Sequence, residues 1–595
     1  MTRRAFLVVT LLTLAGGLPL GGQAPAPSTV QTPSSSKEWI ARSNAHAKVL
    51  IDVIARLSPE GAGRMGVEGL DEAVTDFSDG FEDRAIAANR DAERALQAAL
   101  ASADDPRVKQ DLRIMIEAAQ EGAESVALER RLTVPFVNVG SNIFNGVRAL
   151  LDDQVAPARR PAALVRLRKY VGDVPGTSAL AVRAEQLTRA RMNMSGLAMP
   201  SKAQVERALA DSASFVDGIP ELFKKYGVAG SDEPVAKLKA QMAAYDTFLR
   251  ADVLPKARAD FRLPPELYAF GLKRYGVDIA PDALASSAHH AFDGIQKEMG
   301  TLAASVAKAR GWTVTDYRDV IRELKKDQLV GDAILPHYKA RLAEIEAIIR
   351  REHLVTLPAR PARIRLASPA ETAASPAPNM RPPRMLGNTG EQGEFVLPLN
   401  VPTTDGTTLK TDDFTFAAAS WTLTAHEARP GHEMQFAGML DAGVSVARAL
   451  FSFNSANVEG WGLYAELVMQ PYVPQDGQLI ALQHRLLRAA RAYLDPELQA
   501  GTITPKQALA VLTRDVVLSD GMARQEVDRY TFRAPGQATS YFYGFMNLVA
   551  LRSDIQKALG PTFNAQAFHD FILSQGLLPP TLMREAVIDY FTKSQ

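Results

Sequence analysis

Cysteine is absent from all 595 residues. Its absence excludes disulfides, thiolate metal sites, iron–sulfur clusters, cysteine nucleophiles and lipid attachment through a cysteine. A surplus of either charge is also missing, because 67 Lys and Arg face 67 Asp and Glu. Nucleic-acid binding and polybasic membrane association both need a cationic excess, so neither is expected. Beyond residue 20 no apolar run approaches the ~18 residues of a membrane-spanning helix, and no integral membrane segment is expected in the mature chain.

What is present begins with an export pattern. Arg3 and Arg4 precede an apolar stretch over 5–20, with small residues near Ala24. This is the arrangement of a cleaved signal peptide over 1–24, of the general secretory or the twin-arginine type, and it implies a periplasmic or secreted protein. Residues 25–36, rich in Pro, Ser and Thr, read as a flexible spacer.

From Lys37 onward apolar residues recur at three-and-four spacing, with Ala, Leu, Arg and Glu between them. The spacing predicts helices over 38–57, 82–103, 107–130, 202–216, 281–309, 331–353, 416–440, 457–469, 475–494 and 540–558, among others, and hence an all-α protein. A Pro- and Gly-rich loop segment over 355–413 divides the chain into an N-terminal helical part, 37–354, and a second part, 414–595. Within that loop, residues 393–400 predict one short strand, which Pro398 would confine to a sheet edge, where an extended peptide could pair with it.

The chemistry is concentrated after the loop. Thr424-Ala425-His426-Glu427-Ala428-Arg429-Pro430-Gly431-His432-Glu433 places two of nine histidines within seven residues, beside two carboxylates. His-Glu at its start is similar to the helical motif in which two histidines one turn apart bind Zn²⁺ and the intervening Glu is a general base. Here the histidines are six apart, which on a regular helix puts them on different faces. Pro430 and Gly431 invite a bulge that would return His432 to the His426 side; the alternative is a helix that ends near Arg429 and a second that starts near His432. Glu459 is the expected third ligand, and Glu466, seven residues on and so on the same face, the expected orienting partner of a ligand ring. Two imidazoles and a carboxylate suit zinc and other divalent ions. The adjacent pair His289 and His290 diverges by about 100° on a helix and is not expected to share a metal.

These segments, with Glu459-Gly460-Trp461-Gly462-Leu463-Tyr464-Ala465-Glu466 and Arg529-Tyr530 through Pro535-Gly536-Gln537-Ala538-Thr539-Ser540-Tyr541, resemble the bacterial DUF885 family. The resemblance implies a large single-bodied helical protein with a deep cleft, similar to helical zinc carboxypeptidases and peptidyl-dipeptidases. Two positions depart from the family pattern. Glu433 stands where a second His is frequent, which leaves His432 and Glu433 both open as the second ligand, with Glu433 otherwise an outer partner of the site. Gly462 stands where Ala is usual. The same resemblance gives Tyr541 as a donor to the oxyanion and Arg533, Gln537 and Tyr543 as substrate-binding residues, while Arg529 and Arg533 either clamp a substrate carboxylate or pair with Asp528 and Glu526.

The expectation is therefore an exported zinc-dependent hydrolase of peptides or small amides. In it His426, His432 and Glu459 hold the metal, and Glu427 is general base toward a metal-activated water. Two alternatives stay open: a metal-dependent hydrolase of a non-peptide amide or ester, and a metal-stabilised envelope binding protein without turnover.

Overall fold

The computed structural model describes residues 38–375, 377–402, 408–410 and 412–593. The signal-peptide and spacer expectations therefore lie outside the described residues. Helices build almost the whole molecule, so the all-α expectation holds. Among the described residues no helix is long and apolar enough to cross a membrane.

The N-terminal part supplies two cores. Helices Glu38–Leu57, Phe81–Ser102 and Pro106–Leu132 pack around Leu50, Leu96 and Met115. Helices Val139–Arg148, Lys202–Tyr226 and Asp232–Phe248 close a second core on Phe144, Phe215 and Phe223. Lys202–Tyr226 runs ten residues past its expected end, because Pro220 falls within a helix that packing holds together.

The second part is built on the long helix Gln475–Ala500, which packs along Pro281–Arg310 and, but for the half-buried His484, is buried from Leu479 to Leu494 on every side. A helix buried all round should be apolar. This one carries buried Gln483, Arg485, Arg488, Arg491 and Asp495, and such buried polar groups mark where partners converge. Against it lie Ala417–Glu427 and Thr539–Leu559. Thr539–Leu559 in turn crosses Ser455–Met469 at a point where backbones touch. A Cβ on Gly544 would lie 1.8 Å from the Ala456 carbonyl oxygen, and one on Gly460 2.6 Å from the Gly544 carbonyl carbon.

The loop segment holds more order than its prolines suggest. Strands β1 (Arg363–Leu366), β2 (Asn379–Arg381) and β3 (Glu394–Leu397) form a sheet in the order β1-β3-β2, with β3 parallel to β1 and antiparallel to β2. The expectation of an edge strand at 393–400 is thus corrected. Pro398 lies one residue past β3, so its missing N–H breaks no ladder bond, and both edges of β3 are already paired. No peptide can add there. β4 (Asn400–Pro402) and β5 (Thr408–Lys410) pair antiparallel beyond it. A short helix, Pro369–Ala374, also forms, started by a capping box between Ser368 and Glu371.

Candidate metal centre

The expected single helix over 416–440 is two helices. Ala417–Glu427 ends because Ala428 takes φ −105° and ψ −100°; the Arg429–Pro430 peptide that follows is cis. His432–Ala442 then starts afresh after Gly431. The Trp461 indole N–H donates to the Pro430 carbonyl at 2.9 Å and fixes the break. Only glycine fits position 431, since a Cβ there would sit 1.9 Å from the His426 carbonyl oxygen. The two histidines nevertheless meet, through the alternative of a break with a second helix from His432 and not through a bulge: their ring centroids are 4.6 Å apart at 80°.

Glu459 faces both rings from Ser455–Met469, a helix capped by Asn454. Its Oε2 lies 3.5 Å from His426 Nε2 and 3.2 Å from His432 Nε2. One donor atom from each of the three residues lies within 4.8 Å of the other two. Burial alone would raise the Glu459 carboxyl, but the two imidazoles facing it hold it well below the usual range. Its Oε2 has no hydrogen-bond partner by geometry although it is shut off from solvent. Two imidazole nitrogens and an unpartnered buried carboxylate oxygen fit a divalent cation.

The outer contacts orient the donors. Glu466 accepts from His426 Nδ1 at 2.8 Å and from the Thr422 hydroxyl at 2.6 Å, and Arg488 lies 3.3 Å from it. With Nδ1 committed, His426 presents Nε2 to Glu459. Burial would raise Glu466 too, yet Arg488 and then His426 keep it at about 2. Burial pushes the Glu427 carboxyl up to about 7; His432 opposes the rise and Glu459 adds to it. The Tyr541 ring stacks on His426 at 6.3 Å between centroids, and the Arg491 guanidinium carbon lies 4.4 Å from the Tyr541 centroid. Burial raises the Tyr541 phenol, so it stays a proton donor.

Other expected residues fall elsewhere. Glu433 is fully buried and paired with Arg429 at 2.7 Å, and Arg429 also bonds Glu346 at 2.7 Å. Glu433 is therefore outside the donor set that includes His432, and it orients no ligand ring; His432 Nδ1 has no hydrogen-bond partner. Tyr543, two residues from Tyr541, donates instead to Asp278. Gln537 donates to the Ser455 hydroxyl at 3.0 Å and so ties its turn to the start of the Glu459 helix. Arg533 sits in the field of Arg207, Asp211 and Asp528, and burial lowers it. Sequence reasoning missed Arg488, Arg491 and Thr422. The signal was there for the arginines, at 485, 488 and 491 on an otherwise apolar helix.

Residues 59–587 match the family described as "Bacterial protein of unknown function (DUF885)". Two solved structures are similar in fold. One is a "putative lipoprotein" from Colwellia psychrerythraea, with TM-score 0.75, 19% identity, and coverage of 93% of this chain and 99% of that one. The other, from Shewanella oneidensis, carries the same description with unknown function, with TM-score 0.68, 20% identity, and coverage of 93% and 100%. No curated protein matches the chain.

Proposed function

We propose, from the premise that the chain belongs to the DUF885 family of bacterial proteins and from the geometry of its buried centre, that it is an exported, divalent-metal-dependent peptidase. The observation that carries this reading is the convergence of His426, His432 and Glu459 beside Glu427. A divalent cation held by those three, zinc by preference, would polarise a carbonyl and acidify a water. Glu427, with its affinity for protons raised by burial, takes the proton of the attacking water and returns it to the leaving amine. Tyr541, stacked on His426, donates a hydrogen bond from its hydroxyl to the developing oxyanion. Glu466 holds His426 in the tautomer that leaves Nε2 free.

Export is supported by the pattern of residues 1–24 and by the lipoprotein description of the two relatives. This chain has no cysteine thiol to carry a lipid.

The test is a pair of variants assayed on peptides, with simple esters and amides as comparison substrates. Glu427→Gln keeps the metal, read by elemental analysis, and loses about 10²–10⁴ in kcat. His426→Ala loses both metal and turnover. Full activity in either variant refutes the assignment.

A further inference from the structure

Three arginines surround the one tyrosine at the centre. The guanidinium carbons of Arg491, Arg488 and Arg529 lie 4.4, 5.8 and 5.9 Å from the Tyr541 ring centroid. Arg488 and Arg491 are one turn apart on Gln475–Ala500, and Arg529 opens the turn Arg529–Arg533. Burying three cations together needs an equal number of anions. Among the described residues, two carboxylates form ion pairs with them. Glu526 takes Arg491 through a two-pronged bond, Nε and Nη2 each at 2.7 Å, with Arg529 4.0 Å away. Glu466 takes Arg488 at 3.3 Å while already bonded to His426.

The shortfall appears in the hydrogen bonds as well. Arg491 is 5% exposed, and its Nη1 is shut off from solvent without an acceptor; Arg488 Nε is in the same condition. Arg529 Nη1 donates to the Tyr541 hydroxyl at 3.3 Å. An unpartnered buried guanidinium N–H is costly, so a site that keeps two of them is built for an acceptor that arrives with the ligand.

We infer that Arg488, Arg491 and Arg529 form a subsite for the free carboxylate of the substrate, which makes the enzyme an exopeptidase acting at the C-terminal end. The inference rests on the hydrolase reading above for its chemistry, and on the arginines alone for its anion. Two carboxylates pair directly with the three guanidinium groups and leave the Arg488 Nε–H and the Arg491 Nη1–H without an acceptor, which a carboxylate of the ligand supplies. The planar fork of arginine suits the two coplanar oxygens of a carboxylate. Position sets the cleavage point. Tyr541 touches the His426 ring on one side and Arg491 on another, and one residue spans about 3.5 Å. The carboxylate therefore sits within a few residues of the scissile bond.

The probe is N-acetylphenylalanine against its amide, titrated calorimetrically into the metal-loaded protein. The acid binds, and the amide binds about 10- to 100-fold more weakly, as expected for loss of charge-assisted bonds. Arg529→Gln erases that preference and Arg529→Lys restores part of it. A preference that survives in Arg529→Gln puts the carboxylate on the cation and overturns the subsite. So does displacement of the acid by inorganic phosphate at lower concentration than by acetate. The wild-type comparison of acid with amide needs no variant, and equal binding of the two also overturns the inference. Peptide cleavage separates this idea from the one beneath it. If no peptide is cut but the acid preference and its loss in Arg529→Gln stand, the hydrolase reading fails and the subsite remains. If peptides with free and amidated ends are cut at equal kcat/KM, the subsite fails and the hydrolase reading remains.

Discussion

At the scale of single residues the centre depends on what a side chain leaves out. Gly462 stands on the Glu459 helix under both imidazoles, where a Cβ would lie 2.7 Å from His426 Cε1 and 2.8 Å from His432 Cε1. Real contacts are not that close, so one methyl forces both rings to retreat. His426 can retreat only by stretching its 2.8 Å bond to Glu466, and His432 only by leaving Glu459. Gly462→Ala should therefore weaken divalent-metal binding roughly 10- to 100-fold, the range seen when the orientation of a ligand is disturbed. Competition against a chelator of known affinity measures it, and an unchanged dissociation constant would show that the rings have room after all.

At the scale of elements the same device recurs between Ser455–Met469 and Thr539–Leu559. Their contact at Gly460 and Gly544 brings Glu459 and Tyr541 to one centre, and a Cβ on Gly544 would overlap the Ala456 carbonyl oxygen at 1.8 Å. Gly544→Ala should part the helices at a cost of roughly 1–3 kcal/mol. The expected readout is a lower urea midpoint with unchanged slope, together with reduced turnover; a variant with the wild-type midpoint contradicts the close crossing. Such contacts explain what the sequence showed and what it hid. Helical periodicity located most helices within a few residues, because their apolar stripes face cores. The two histidines and Glu459 were legible from residue type alone. The break was legible only as an alternative, from Pro430 and Gly431, because 416–440 is buried on nearly every side and carries no phase to reveal where one helix stops. The sheet around β3 was not legible, its strands being three and four residues long and separated by prolines. The arginine row escaped because its partners, Glu466, Glu526 and Tyr541, come from three other segments.

At the scale of the whole molecule, distant segments are joined by buried groups that tolerate only one protonation state, and this makes stability depend on pH. His569, on Ala565–Ser574, is 2% exposed. Its Nδ1–H donates to the Leu354 carbonyl at 2.7 Å, and its Nε2 accepts from the Tyr464 hydroxyl at 2.8 Å. It thus ties the end of the N-terminal part, the Glu459 helix and the C-terminal helices together. Burial lowers its pKa to about 4; the Leu354 carbonyl opposes this and the nearby Arg552 cation adds to it. An unfolded histidine protonates near 6.5. Between those values the unfolded chain holds a proton that the folded chain refuses, so stability falls as pH drops from about 6.5 to about 4. The shift corresponds to roughly 3 kcal/mol for this one group. His569→Gln removes the titration. It should cost stability at pH 7, where the neutral ring is at its best, and that deficit should shrink as pH falls toward 4. Urea unfolding of wild type and variant at pH 7, 5.5 and 4 measures the difference directly, and a deficit that stays constant across the three would mean that His569 is not kept neutral by the fold.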